Sequence, residues 1–324
     1  MTRILVIGGA HVDRRATLSG PTEMHASNPG TWREETGGGA FNATRALSRL
    51  GADVCLVAPR GGDIHGVAVS DAAAAAGIDD RPITFLDRAT PTYTAILDEH
   101  GDLVVALADM ALYDLFGPRQ FDRRSMREAI VSADHVLVDA NLPARTIERL
   151  AARCGEFGRP LAAIAISPAK VMRLEGVLPS LSVLFLNERE AAALADRAAA
   201  RPQDWPAILR QCGLRAGIVT RGAMPAIAFD GHQAWMVEPP LRQHVVDVTG
   251  AGDALAAATL VGLIAGMALP QALRRGCAAA SHVVGADTCA PSDLSLERLD
   301  ALLSEVPPAV ALDGAPLLRT IDHA

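Results

Sequence analysis

The sequence predicts an α/β protein built on a doubly wound, mainly parallel sheet. Short apolar, strand-like runs recur at 3–8, 53–58, 135–139, 161–166, 183–186 and 216–220. Helix-patterned segments at about 40–50, 65–77, 144–157, 188–196 and 203–213 fall between them. Such alternation covers both faces of a parallel sheet with helices. Half of the 324 residues are hydrophobic but only 4% are aromatic, which suits close packing of Ala, Gly, Val and Leu between helices and sheet.

The first unit sets the pattern. The helix at 40–50 ends before Gly51, a suitable C′ glycine, and the next strand begins almost at once. Two stretches break the alternation. Residues 13–36 are polar and turn-rich around Ser27-Asn28-Pro29-Gly30, and 83–108 reads as a β-hairpin turning at His100-Gly101-Asp102. They form either a small second sheet over the site or two separate surface excursions. The most apolar run, Ala254–Leu269, is too short for a spanning helix of ~20 residues and reads as a buried helix. The tail after about 305 is expected to be peripheral.

Composition narrows the function. The net charge is −7 with no long basic cluster, so nucleic acid is a poor partner. Five widely spaced cysteines without a C-x-x-C pair suit a reducing cytoplasmic compartment. The N-terminus enters a strand directly and lacks signal-peptide features, so no membrane partner is expected.

The strongest chemical segment is Asp247-Val248-Thr249-Gly250-Ala251-Gly252-Asp253, ahead of the Ala-rich helix. Small residues at 250–252 admit a ligand close to backbone N–H groups at a helix N-terminus, where an anion such as phosphate is favoured. Asp253 beside that anion is placed to take a proton from a hydroxyl; an ionised, weak carboxylate base suffices for phosphoryl transfer. The other reading of Asp253 is a helix cap. Gly37-Gly38-Gly39 before Ala40-Phe41-Asn42 admits a sugar close to the backbone, or is simply a tight loop. Asp13 follows the first strand near the sheet's carboxyl edge, where it binds vicinal sugar hydroxyls or stands as a loop acid. There is no dinucleotide fingerprint, Walker A sequence or protein-kinase signature set.

Gly8-Gly9 with Asp13, the Gly37–Asn42 turn, Asn187-Glu188-Arg189-Glu190 and Asp247–Asp253 occur in an order that resembles the ribokinase-like PfkB carbohydrate and nucleoside kinases, across roughly 3–300. The resemblance implies one kinase domain over 1–324, with a β-sheet lid from about 13–36 and 83–110. It implies ATP-dependent phosphorylation of a sugar or nucleoside, with Asp253 as base and Gly250, Ala251 and Gly252 as anion hole. It further implies that Asn187 and Glu190 organise magnesium and phosphates through water, and that Asp247 and Thr249 lie at a monovalent-cation site, with potassium the candidate ion. Thr220-Arg221-Gly222 matches the nucleotide loop, although Pro225 stands where a second glycine is usual; 276–282, with Cys277 and Ser281, falls at the adenine wall. A homodimer through the lid is left open. A frequent Asp-Pro-Val-Ser run is here Ile164-Ala165-Ile166-Ser167, ahead of Lys170, the only lysine in the chain. Lys170 is either a point charge at the substrate or phosphate, or a chance survivor at the surface.

Local strings at 26–30, 101–110 and 138–141 resemble pseudouridine kinases, which implies a C-nucleoside phosphorylated on its 5′-hydroxyl. Asp13, Gly38, Gly39 and Asn42 would then hold the ribose, with Asn28, Asp109, Met110 and Asn141 near the base. Ribose, ketohexose and other nucleosides are the competing substrates, and a ligand-sensing relative without turnover is the non-enzyme alternative.

Overall fold

The computed structural model describes residues 2–241 and 245–312. Strand β1 (Arg3–Ile7) is followed by two long strands, β2 (His11–Leu18) and β3 (Gly30–Gly37), then helix α1 (Gly39–Arg49). Next come β4 (Asp53–Val57), β5 (Pro59–Gly61), α2 (Ile64–Ala75), β6 (Asp79–Asp80), β7 (Ile83–Phe85), β8 (Thr92–Leu97) and β9 (Leu103–Asp109). The middle of the chain holds α3 (Arg124–Ser132), β10 (His135–Asp139), α4 (Ala144–Glu156), β11 (Leu161–Ile164), the short α5 (Pro168–Val171), β12 (Leu181–Asn187), α6 (Glu188–Ala195) and α7 (Trp205–Gln211). The last part holds β13 (Gly217–Arg221), β14 (Met224–Phe229), β15 (Ala234–Val237), α8 (Ala251–Ile264), α9 (Leu269–Val284), α10 (Leu296–Leu302) and β16 (Val310–Ala311).

Ten strands form one sheet in the order β16-β15-β14-β13-β12-β11-β10-β1-β4-β6. Every pairing from β13 to β6 is parallel, and β14, β15 and β16 extend the sheet antiparallel. The tail expected to be peripheral thus contributes an edge strand, β16; residues beyond 312 lie outside the described part. Alternation along β1 builds both layers: Ile4 and Val6 enter one core with α1, α8 and α9, while Leu5 and Ile7 enter the other with α3, α4 and α7. The expected doubly wound, mainly parallel sheet is the observed one.

The two interruptions join in a second sheet, ordered β3-β2-β8-β9. The hairpin between β8 and β9 turns through Gly101 at φ 87°, and Asp98 accepts the N–H groups of His100 and Asp102. In β2, His11, Asp13 and Arg15 share one face; Arg14, on the other, lies over Trp32 and pairs with Glu34.

The apolar run at 254–269 is helix α8 plus the turn at Gly266, packed against α9 through small residues. A Cβ on Gly276 would lie 2.2 Å from Thr259 Oγ1, so glycine sets that approach. No helix among the described residues is long and apolar enough to cross a membrane.

Candidate active site

The cleft lies at the carboxyl ends of the parallel strands, between the main sheet and the small sheet, and encloses about 380 Å³. Its floor hangs on Asp139, a buried carboxylate at the end of β10. Oδ2 accepts the N–H groups of Gly9 and Ala40, at 2.9 Å each, and the Asn141 amide; Oδ1 accepts the Asn141 N–H. One side chain therefore fixes the end of β1 and the start of α1. Gly8 makes this possible, since a Cβ there would lie 2.4 Å from Asp139 Oδ1. Gly38, at φ 107°, turns the chain into α1 and has no room for a Cβ beside the Gly9 carbonyl.

Asp253 stands in the first turn of α8. Its Oδ2 accepts the Asn42 amide at 3.0 Å, and Asn42 in turn accepts from Arg45. Burial pushes the Asp253 carboxyl up to about 7; the Asn42 hydrogen bond opposes this, and the negative charge of Asp139 adds to it. Burial thus shifts this carboxyl from the ordinary carboxylate range, where the sequence alone would place an ionised base, toward neutrality. Gly250 caps α8 at φ 80°, against the Cys289 carbonyl. The Ala251 N–H turns back to the Val248 carbonyl, and Ala251 does not line the cleft. Among the described residues no acceptor meets the N–H groups of Gly250, Gly252 and Asp253, so these are the donors open to an anion.

On the opposite wall, Asp13 Oδ1 lies 3.3 Å from His11 Nε2, and His11 Nδ1 lies 2.8 Å from the Tyr113 hydroxyl. Burial pushes the Tyr113 phenol well above its ordinary range, so it keeps its proton. The Asp13 carboxylate can only accept, which places a ring proton on Nε2 and leaves Nδ1 to accept from the Tyr113 hydroxyl. Lys170 Nζ donates to Asn141 Oδ1 at 2.6 Å; burial lowers its pKa, partly opposed by Asp139. Ile166, a β-branched residue at φ 72°, also lines the cleft, and its side chain lies where a Cβ on Gly39 would stand. Backbone strain of this kind, worth about 1–3 kcal/mol, gathers at functional sites.

Asp13, Gly38, Gly39, Asn42, Met110, Asn141, Lys170, Asn187, Glu190, Thr220, Thr249, Gly250, Gly252 and Asp253 all line this one cleft. Asn187 and Glu190 also form a reciprocal capping box at the start of α6. Burial raises the Glu190 pKa, with the Asn187 N–H opposing.

Other candidates lie outside the lining. Asn28 is half-buried and spends its amide on closing a loop with Glu23 and Ala26. Asp109 is exposed at the end of β9. Gly222, at φ 63°, belongs to the β13–β14 turn, and Cys277 is buried in α9. Ser281 is buried on the same helix. Asp247 accepts from Arg15 of the small sheet as well as from Thr249. Sequence reasoning missed His11 and Tyr93, which line the cleft, and Arg15, whose partners Asp247 and Thr249 lie 232 and 234 residues away.

An open α/β sheet with a helix-capping glycine turn, a carboxylate in the following helical turn and a facing carboxylate for hydroxyls defines a phosphotransferase of small alcohols. The chain belongs to the pfkB carbohydrate kinase family, whose model matches residues 1–295. A carbohydrate kinase from Agrobacterium tumefaciens shares 50% identity and a TM-score of 0.88, with 96% of this chain and 100% of that one covered. The Arabidopsis thaliana ribokinase complexed with ribose and ATP aligns at TM-score 0.83 and 21% identity, covering 94% of this chain and 99% of that one. Guanosine-inosine kinase of Exiguobacterium acetylicum is 26% identical over 93% of this chain and all of its own length. Pseudouridine kinase of Escherichia coli strain K12 is 23% identical over 93% of this chain and 96% of its own.

Proposed function

We propose that the protein transfers the terminal phosphoryl group of ATP to the 5′-hydroxyl of a nucleoside, with pseudouridine as its best acceptor. The observation that carries the phosphotransfer reading is Asp253 beside the open N–H groups of the α8 cap, across one cleft from Asp13. Asp13, held by His11, accepts from the sugar hydroxyls. Asn42 fixes one oxygen of Asp253; the other takes the proton of the attacking hydroxyl. The N–H groups at Gly250, Gly252 and Asp253 receive charge on the moving phosphoryl group.

Among the described residues no three acids, histidines or cysteines form a metal cage. The buried Glu190 and Asn187 at the cleft nevertheless suit magnesium carried in by phosphates and held through water. When bound, magnesium neutralises phosphate charge. Asn187 and Thr220 are the cleft residues proposed to flank the nucleotide. A potassium ion at Asp247 and Thr249 would have to compete with Arg15, which already holds both.

The pseudouridine reading is supported by the three local strings and by the Escherichia coli relative. Of the polar residues in those strings only Asn141 lines the cleft; Met110 lies there too, under the small sheet. Purine nucleosides are the second reading, favoured by the guanosine-inosine kinase relative. Pseudouridine offers a ring N–H that uridine lacks, and leaving its buried acceptor unpaired costs about 1–3 kcal/mol, roughly ten- to a hundredfold in selectivity. ATP-consumption assays across pseudouridine, uridine, guanosine, inosine, adenosine, ribose and fructose 6-phosphate test this directly. The expected order puts pseudouridine first in kcat/KM; a purine nucleoside or free sugar in first place removes that assignment.

We also propose that the small sheet is a lid and joins two copies. Edge strand β9 exposes Leu103, Val105 and Leu107 beside unpaired backbone groups. Val105→Lys is expected to turn a dimer into a monomer in sedimentation equilibrium, and a monomeric unmodified protein sinks the idea.

A further inference from the structure

Arg15 reaches from β2 of the small sheet to the segment just before the α8 cap. Its Nη1 lies 2.6 Å from Asp247 Oδ2 and its Nη2 lies 2.9 Å from Thr249 Oγ1. The other carboxylate oxygen, Oδ1, accepts both the N–H and the hydroxyl of Thr249. Burial would raise the Asp247 pKa, but Thr249 and Arg15 hold it below the usual carboxylate range. The carboxylate is thus fully engaged, three residues before Gly250, by a cation from a different sheet.

Both partners remain about one-third exposed, at 35% and 30%. A pair so placed contributes little to global stability. Its consequences are local. Without Arg15, the charge of the Asp247 carboxylate would stand uncompensated three residues before the open N–H groups that receive an anion, and would repel it. The Asp247–Thr249 contacts would also lose the outside partner that fixes their orientation. Arg15 shares its strand face with Asp13, two residues and about 7 Å away, so a single rigid strand carries the acceptor-binding carboxylate and the tie to the anion turn.

We propose that Arg15 is a positioning residue: a built-in cation that fastens the small sheet to the 247–250 turn and couples acceptor binding at Asp13 to the order of the phosphate-binding N–H groups. It touches neither reacting atom. Since the chain supplies this cation itself, turnover of the unmodified protein is independent of added monovalent cations.

The proposal rests on the phosphotransfer reading, and its test separates the two. The unmodified protein, Arg15→Ala and Arg15→Lys are assayed with the acceptor that the unmodified protein prefers, in tetramethylammonium chloride at fixed ionic strength, with and without guanidinium. Arg15→Ala is expected to melt with the unmodified protein but lose roughly tenfold to a hundredfold in kcat, as small misplacements at a reacting centre do. Its KM for the acceptor should change less. Guanidinium should restore part of the loss in Arg15→Ala and do nothing for the unmodified protein, with Arg15→Lys in between. Amide hydrogen exchange gives a readout independent of turnover: protection should fall together in 11–18 and 247–253 when Arg15 is removed. Unchanged kcat in Arg15→Ala overturns the proposal. So does a loss that neither guanidinium nor lysine relieves, or exchange that changes in only one of the two segments. An unmodified protein that consumes no ATP with any acceptor would instead indict the phosphotransfer reading, while the exchange result would still decide the tie.

Discussion

Asp253→Asn is expected to lower kcat by about 10²-fold or more while leaving nucleotide binding nearly intact. Asparagine keeps the shape of the side chain and can still meet Asn42, but it cannot take a proton. The unmodified protein should also show a pH signature. With the carboxyl pushed up to about 7 by burial, kcat/KM should climb through neutrality as the base ionises and level off above it. The variant's residual rate should lack that limb. Near-normal turnover in Asp253→Asn, or an unmodified enzyme equally active well below neutrality, removes Asp253 from the base role.

The same group carries a stability cost with a definite sign. Its folded pKa, raised to about 7, lies above the unfolded value of about 3.9, so the native state holds the proton longer. The stability associated with the protonated form is intact below about pH 4 and is lost as pH rises toward the folded value. Asp253→Asn should therefore melt above the unmodified protein at about pH 8, with the gap closing by about pH 4. A variant that melts lower at every pH would show that Asp253 is not destabilised by its surroundings.

Sequence served best where the chemistry is contiguous. Gly250, Gly252 and Asp253 fall within four successive positions, and a glycine ahead of an Ala-rich helix already implies a helix N-terminus with open donors. The six strand runs and five helices read from periodicity correspond to elements of the large sheet and its layers, because burial on both sides makes such strands continuously apolar. The antiparallel extension β14–β16 was less legible, since strand–helix alternation says nothing about hairpins at a sheet edge. Burial was also illegible: nothing local told that Asp253 would titrate near neutrality. Asn28 and Asp109 came from resemblance of short strings, which cannot distinguish an amide that closes its own loop from one that faces a cleft. Cys277 sits on a helix whose register turns it into the core against α8. Arg15 and Asp247 are separated by 232 residues, and only the packing of one sheet on another brings them together.

Asp13→Ala is expected to raise KM for the acceptor by about a hundredfold, with a much smaller effect on KM for ATP. A carboxylate hydrogen-bonded to two sugar hydroxyls supplies about 1.5–3 kcal/mol per bond, and each 1.4 kcal/mol is tenfold in affinity. Gly37 leaves space for this side chain, since a Cβ there would lie 2.0 Å from Asp13 Oδ2. The chain from the Tyr113 hydroxyl through His11 fixes the carboxylate from behind. Tyr113→Phe removes the donor to His11 Nδ1 and frees the ring to change tautomer, so it should raise KM for the acceptor in the same direction by roughly tenfold, the scale of one hydrogen bond. An acceptor lacking vicinal hydroxyls should bind the unmodified protein and Asp13→Ala about equally. If Asp13→Ala instead weakens ATP and acceptor alike, Asp13 serves the structure of the cleft rather than recognition of the sugar.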